Sequence, residues 1–106
     1  MQVDNGRVLH EIMQRIKKIK NGEGVLLQPY KKDRSVCVEV RKRDYVVHER
    51  GFFHNDVVVE GKKIKKLLKT MCRREFPRSN KIWLTLLTHE ELLHCARIHH
   101  FEVHSA

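Results

Sequence analysis

Lysine and arginine are concentrated in one stretch of this sequence, residues 61–81. Nine of them occur there against a single glutamate, so the stretch carries +8 of the chain's net charge of +9. Dense ammonium and guanidinium groups suit the binding of a polyanion, and arginine can also make forked hydrogen bonds to phosphate. The sequence therefore predicts phosphate contacts by eight residues: Lys62, Lys63, Lys66, Lys69, Arg73, Arg74, Arg78 and Lys81.

The spacing of apolar residues in the same stretch predicts how these cations are presented. At about 100° per residue, four apolar side chains share one face of a helix: Ile64, Leu67, Leu68 and Met71. Four cations share the opposite face: Lys62, Lys66, Lys69 and Arg73. An apolar face packs on a core and leaves the opposite face in water. We therefore predict a cationic helix over residues 61–75, which Pro77 brings to an end.

Lys62 and Lys63 would lie in the first turn of this helix, where the helix dipole disfavours positive charge. A bound phosphate would remove the conflict, because the free N–H groups of a helix N-terminus favour an anion. Such contacts recognise the nucleic-acid backbone and carry no base specificity. The Arg-Lys-Arg turn at residues 41–43 is a candidate extension of the same surface.

Exposed aromatic rings would add base stacking to these phosphate contacts. The candidates are Tyr30, Tyr45, Phe52, Phe53 and Trp83. Most of them flank apolar residues on predicted strands, so a role in the core is favoured. Phe52 and Phe53 are adjacent and would point to opposite sides of a regular strand, so at least one could be exposed.

The histidines near the C-terminus raise the question of a metal site. Cys95 and His99 are four residues apart and would share one helix face, which is half of a zinc site. The segment 89–94 has one residue too many for the HExxH motif of zinc proteases. Because the spacing supplies no further ligands, neither a metal nor a cofactor is predicted.

A catalytic alternative involves His48 and His54, which flank Arg50 and a glycine turn. Two histidines and a cation could transfer protons and stabilise charge in a small metal-independent ribonuclease. No nucleophile–base spacing accompanies them, so the sequence predicts no catalytic residue and favours a binding protein over an enzyme.

The composition predicts a single intracellular domain. A chain of 106 residues that is 41% apolar suits one domain, residues 1–106, with residues 100–106 expected as a loosely ordered tail. Three cysteines without a paired spacing favour reduced thiols. With no apolar N-terminal segment and no stretch long enough to span a membrane, a cytoplasmic location is predicted, or a nuclear one in a eukaryote.

The periodicity predicts an α+β fold in two layers, with a mixed sheet and helices mainly on one face. A first helix, capped by Asp4 or Asn5, is expected from about residue 8 to 20. Strands are expected at residues 25–28, 35–40, 45–49, 52–60 and 82–87. The run of valines at residues 57–59 suggests a strand buried on both faces, and the segment 52–87 fits a right-handed parallel crossover. Thr88 and Glu91 form a capping box that opens a last helix.

The order helix–three strands–helix is similar to that of double-stranded-RNA-binding domains, which also present lysines at the start of the second helix. The resemblance is one of element order, and this chain lacks the alanine-rich second helix and adds a strand and a helix. It favours RNA over DNA as the partner of a small nucleic-acid-binding domain. The alternative is an adaptor that docks an acidic protein through the same cations, and a membrane surface ranks third.

Overall fold

Alternating valines and leucines in the middle of the chain build a six-stranded sheet. The computed structural model describes residues 1–103. Its strands are β1 (Gln2–Asp4), β2 (Gly24–Pro29), β3 (Ser35–Val40), β4 (Tyr45–Arg50), β5 (His54–Val59) and β6 (Lys81–Leu87). Its helices are α1 (Val8–Ile16), α2 (Ile64–Glu75) and α3 (His89–His99), with a single 3-10 turn, Asn5–Arg7, before α1.

The sheet is antiparallel rather than mixed. Its strand order is β1-β6-β2-β3-β4-β5, and every neighbouring pair is antiparallel. The strands β5 and β6, which α2 connects, are not neighbours, so the predicted crossover between adjacent parallel strands is wrong: three strands lie between them. The strand β1 was not predicted, because three residues are too few to show an alternating pattern.

Helices lie on both faces of the sheet, α1 and α2 on one and α3 on the other. The expected two-layer arrangement therefore lacks the layer that α3 forms. The first two helices and alternate residues of β2 and β3, such as Val25 and Val36, form the larger core. Intervening residues, such as Leu26 and Cys37, form a smaller core with α3 on the opposite face. Because successive side chains of a strand point to opposite faces, the alternation of the central strands supports both cores.

The start of α1 differs from the sequence expectation. Neither Asp4 nor the helix N-cap Arg7 makes a side-chain capping hydrogen bond. Asp4 is ion-paired with Lys81, and Asn5 donates to the carbonyl oxygens of Phe76 and Ser79 at 2.9 and 2.8 Å. Both candidate caps therefore tie the N-terminus to the segment between α2 and β6. The helix also ends at Ile16, earlier than predicted.

The valine run at residues 57–59 lies at the edge of the sheet. Val58 is 59% exposed, although the neighbouring Val59 is buried. The prediction of a strand buried on both faces is wrong because α3 packs over β2 and β6 and leaves this edge uncovered. None of the helices in residues 1–103 has the length and apolar character needed to cross a membrane.

The capping box of α3 is confirmed. The Thr88 hydroxyl accepts from Glu91 N at 3.2 Å, and the Glu91 carboxylate accepts from Thr88 N at 2.9 Å. The segment expected as a loosely ordered tail contains an anchored residue, since Phe101 is buried and its ring centroid lies 3.8 Å from that of His48. Residues 104–106 lie outside the described part.

We expect Phe101→Ala to lower the free energy of unfolding by about 3 kcal/mol, because it removes a buried ring and leaves a cavity over His48. Ile98→Ala is the matched control: its side chain is exposed on α3, so the change should stay within about 0.5 kcal/mol. Urea denaturation measures both. Equal effects of the two substitutions would contradict the anchoring of Phe101.

Candidate functional site

The orientation predicted for α2 is confirmed. Its buried residues include Ile64, Leu68 and Met71, which pack into the larger core. Leu67 is half-buried against the same core. The cations on the outward side are exposed: Lys65, Lys66, Lys69 and Arg73.

Lys62 and Lys63 lie just before the helix instead of in its first turn. Both are exposed, and Lys63 is the N-cap residue, whose backbone N–H donates to the Glu60 carbonyl at 2.9 Å. The first turn instead contains Lys65 and Lys66, and it contains no acidic residue. The unfavourable placement of positive charge at the helix start is therefore present, but different lysines cause it.

Two of the predicted phosphate-binding residues are held by carboxylates. The Arg74 guanidinium donates to the buried Glu49, with Nε 2.7 Å from Oε2, and Lys81 is paired with Asp4. The other six predicted residues have no carboxylate within ion-pair distance in residues 1–103: Lys62, Lys63, Lys66, Lys69, Arg73 and Arg78.

A groove between α1 and α2 brings further cations to this set. It consists of two adjoining depressions of about 550 and 870 Å³ that share Gly6 and Leu9. The first is lined by Lys17, Lys18 and Lys65, and the second by Lys69, Arg73 and Arg78. We call these six residues the cationic groove. The contribution of Lys17 and Lys18 was missed, although the basic character of the end of α1 is visible in the sequence, because the helix dipole accounts for it equally well.

The groove continues toward one end of the sheet. A third depression, of about 460 Å³, shares Arg78, Ser79 and Asn80 with the second and reaches Tyr30 and Arg34. Tyr30 is 74% exposed. The predicted extension to residues 41–43 does not lie here: Arg41 is paired with Asp44 at 3.3 Å, and the turn does not line the three depressions.

Exposed aromatic rings lie at this end of the sheet, where at least one of Phe52 and Phe53 was expected to face solvent and both do. Phe52 and Phe53 are 67% and 50% exposed, both in the turn between β4 and β5. The Arg34 guanidinium lies 4.9 Å from the Phe52 ring centroid, and that of Arg74 lies 4.4 Å from the Phe53 centroid. Residues 51–53 form what we call the aromatic turn. They interrupt the strand that was predicted to begin at Phe52, which is why both rings can face solvent.

A buried carboxylate holds the aromatic turn. Glu75, at the end of α2, accepts from Phe52 N at 2.9 Å and from Phe53 N at 3.2 Å. Burial and a hydrogen bond with Glu49 raise the pKa of Glu75. Burial also acts to raise the pKa of Glu49, but hydrogen bonds from Arg74, Glu75 and Asn55 outweigh it and lower that pKa. The two carboxyl groups therefore titrate as a coupled pair, in which Glu49 loses its proton at a lower pH than Glu75.

The histidine pair considered for catalysis is not arranged for it. The His48 ring is buried, with Nδ1 2.7 Å from Asp56 Oδ1 and Nε2 3.3 Å from Glu39 Oε1. The Arg50 guanidinium is engaged by Asp56 and by four carbonyl oxygens, those of Glu49, Asn55, His99 and His100. A substrate could reach neither group without disrupting these contacts.

The half-site considered at Cys95 and His99 gains no third ligand within residues 1–103. Within residues 1–103, no three His, Cys, Asp or Glu side chains converge as a metal site requires. Cys95 lies on the buried face of α3, in the smaller core, whereas Cys72 lies in the larger core on the other side of the sheet. Burial raises the pKa of Cys72 to about 12, so its thiol stays protonated. His104, a further candidate ligand, lies outside the described residues.

We expect Gly51→Ala to lower the free energy of unfolding by about 1–3 kcal/mol through overpacking. A Cβ at this position would clash with Glu75 Oε1 and would lie 2.8 Å from Arg34 Cγ. Gly6→Ala is the control, since a Cβ there meets nothing within 4 Å. Thermal unfolding of the two variants tests the arrangement, and equal stability of both would show that the turn is not fixed against Glu75.

The lowered pKa of Glu49 predicts that the free energy of unfolding decreases at acidic pH. Its pKa is lowered from 4.5 in the folded state, so its contribution is complete above pH 4.5 and declines as the pH falls through the folded pKa. The urea midpoint of Glu49→Gln should therefore change less with pH below 4.5 than that of the wild type. Glu90→Gln, at an exposed position of α3, should keep the wild-type slope, and a wild-type slope in Glu49→Gln would contradict this role.

Comparison with models of protein families, with curated proteins and with solved structures finds no match. A fold by itself would not establish a function in any case. The function is therefore argued from the arrangement of charges and rings at this site.

Proposed function

We propose that this chain is a small nucleic-acid-binding domain that prefers RNA to DNA and contacts phosphates through α2 and the cationic groove. The observation that carries the proposal is the groove itself. Its six cations lie on α2 and on the segments that follow α1 and α2, and none of them has a carboxylate within ion-pair distance in residues 1–103. Concentrated positive charge of this kind attracts polyanions and releases their counterions on binding.

The spacing along α2 supports an extended polyanion over a compact one. Lys65, Lys69 and Arg73 follow one another at intervals of four residues, which corresponds to about 6 Å along the helix at 1.5 Å per residue. A row of regularly spaced cations favours a chain with regularly spaced phosphates. Arg73 and Arg78 add the planar donors that bind phosphate in a forked manner.

The preference for RNA comes from the element order predicted from the sequence, helix–three strands–helix, which resembles that of double-stranded-RNA-binding domains. Four strands, rather than three, lie between α1 and α2, and α3 covers the other face of the sheet. Because of these differences, the way in which RNA binds is inferred from the cations of the groove and not from the resemblance. A membrane surface is disfavoured, because the apolar side of α2 is buried in the core and is not available to lipid.

The alternative, an adaptor for an acidic protein, would use the same cations. The two functions predict different competitors for the groove at physiological salt: a polyphosphate chain for the nucleic-acid-binding domain, and a polycarboxylate for the adaptor. Polyglutamate should displace a fluorescent RNA only weakly if phosphates are the intended ligand. Displacement by polyglutamate as effective as by unlabelled RNA would favour the adaptor.

We expect Lys69→Glu/Arg73→Glu to weaken RNA binding roughly tenfold or more, whatever the sequence of the RNA. The slope of log affinity against log salt should also fall by about 1.5, since each lost phosphate contact removes about 0.7–0.9. Fluorescence anisotropy across a salt series, with protein freed of nucleic acid by nuclease and high salt, measures both quantities.

The matched control is Lys42→Glu/Arg43→Glu, which changes the net charge equally at exposed positions outside the groove. It should have a much smaller effect on both affinity and slope. If the control weakened binding as much as the groove variant, total charge alone would explain the affinity, and the groove assignment would be wrong.

A further inference from the structure

We propose that the aromatic turn and Tyr30 stack unpaired bases, so that the RNA of the proposed function is bound as a single strand. This inference rests on the proposed function, because the cationic groove must bind the backbone for the rings to meet its bases. It adds a second kind of contact, made by Tyr30, Phe52 and Phe53, to a surface so far described only by its charge.

The first argument is exposure. Two adjacent phenylalanines keep 67% and 50% of their surface in water, so their rings are accessible to a stacking base. Burial in the core would stabilise such a ring, and these two rings lack that stabilisation. The aromatic turn therefore maintains an unfavourable exposure that a stacked base would relieve.

The second argument is that the turn is held by a specific and unfavourable arrangement. Glu75 is buried, lies beside a second carboxyl group, and still accepts from the backbone N–H groups of Phe52 and Phe53. Burying a carboxyl group is unfavourable unless hydrogen bonds compensate for it. These bonds fix residues 52 and 53, so the rings project from a rigid support. Local departures of this kind are expected where function requires them.

The third argument concerns the arginines beside the rings. Arg34 lies over Phe52 and Arg74 lies over Phe53, at 4.9 and 4.4 Å. A guanidinium held against a ring orients it and places positive charge next to the stacking surface. Single-strand-binding proteins combine these features, a cationic path for the backbone and aromatic platforms for the bases.

The fourth argument is continuity. The cationic groove and the depression at Tyr30 share Arg78, Ser79 and Asn80, and Arg34, which lines that depression, contacts Phe52. A strand lying in the groove would therefore lead its next nucleotides to the rings. In a duplex the bases are paired and stacked on one another, so only an unpaired strand can offer them.

The test compares three probes of about 12 nucleotides, within the footprint usual for small single-strand-binding domains. They are a single-stranded uridine RNA, the same RNA with abasic sites, and an RNA duplex, with single-stranded DNA as a further arm. The wild type should bind the single strand most tightly. Phe52→Ala/Phe53→Ala should lose about tenfold or more for that probe, and its salt slope and its duplex affinity should not change.

Two further variants make this result specific. Phe52→Trp/Phe53→Trp keeps aromatic platforms and should retain tight binding of the single strand. Leu93→Ala/Ile98→Ala removes exposed apolar side chains of α3 on the other face and should leave all affinities unchanged.

The outcomes separate this inference from the function on which it rests. If the groove variant fails to bind but the alanine variant binds like the wild type, the stacking proposal is overturned and the phosphate contacts stand. Equal wild-type affinity for the intact and abasic strands would overturn stacking even without any variant. If the wild type binds none of the probes, both proposals fall.

Discussion

Burial of the apolar side of α2 fixes the position of the cations. Ile64, Leu68 and Met71 are enclosed between the helix and the sheet, and burying three such side chains stabilises the fold by several kcal/mol, at about 1.5–3 kcal/mol each. Repulsion among exposed lysines is weaker because water and salt screen it. The helix therefore keeps its cations outward even where they are unfavourable to one another.

Carboxylates then decide which cations remain available. Glu49 binds Arg74, and Asp4 binds Lys81, so these two residues of the candidate set have structural contacts. The two pairs differ in their contribution to stability, since Glu49 is buried whereas the pair of Asp4 and Lys81 is exposed and screened by water. Arg74 also lies against Phe53. It therefore joins the buried Glu49 to the aromatic turn, while Lys69 and Arg73 are exposed and have no carboxylate within ion-pair distance in residues 1–103.

The sequence was most informative where one face of an element is buried. The period of α2, the alternation of β3 and the capping box at Thr88 each depend on neighbours along the chain, and each was predicted. The neighbours of β6 depend on contacts distant in sequence, so its antiparallel pairing with β1 and β2, and the short β1 itself, were not. The site was predicted in part for the same reason. The charge of α2 is local, whereas the pairing of Arg74 with Glu49 and the addition of Lys17 require the assembled fold.

The placement of β6 has a consequence for how the chain folds. Val3 pairs with Ile82, and β6 supplies the strand partner of β1 in the described sheet. A protein made from its N-terminus onward must therefore keep β1 unpaired until most of the chain has emerged. Closing so long a loop is entropically unfavourable and slows folding. The antiparallel run of β2 to β5 can assemble earlier from local hairpins, which suggests that this meander nucleates folding and that β1 docks late.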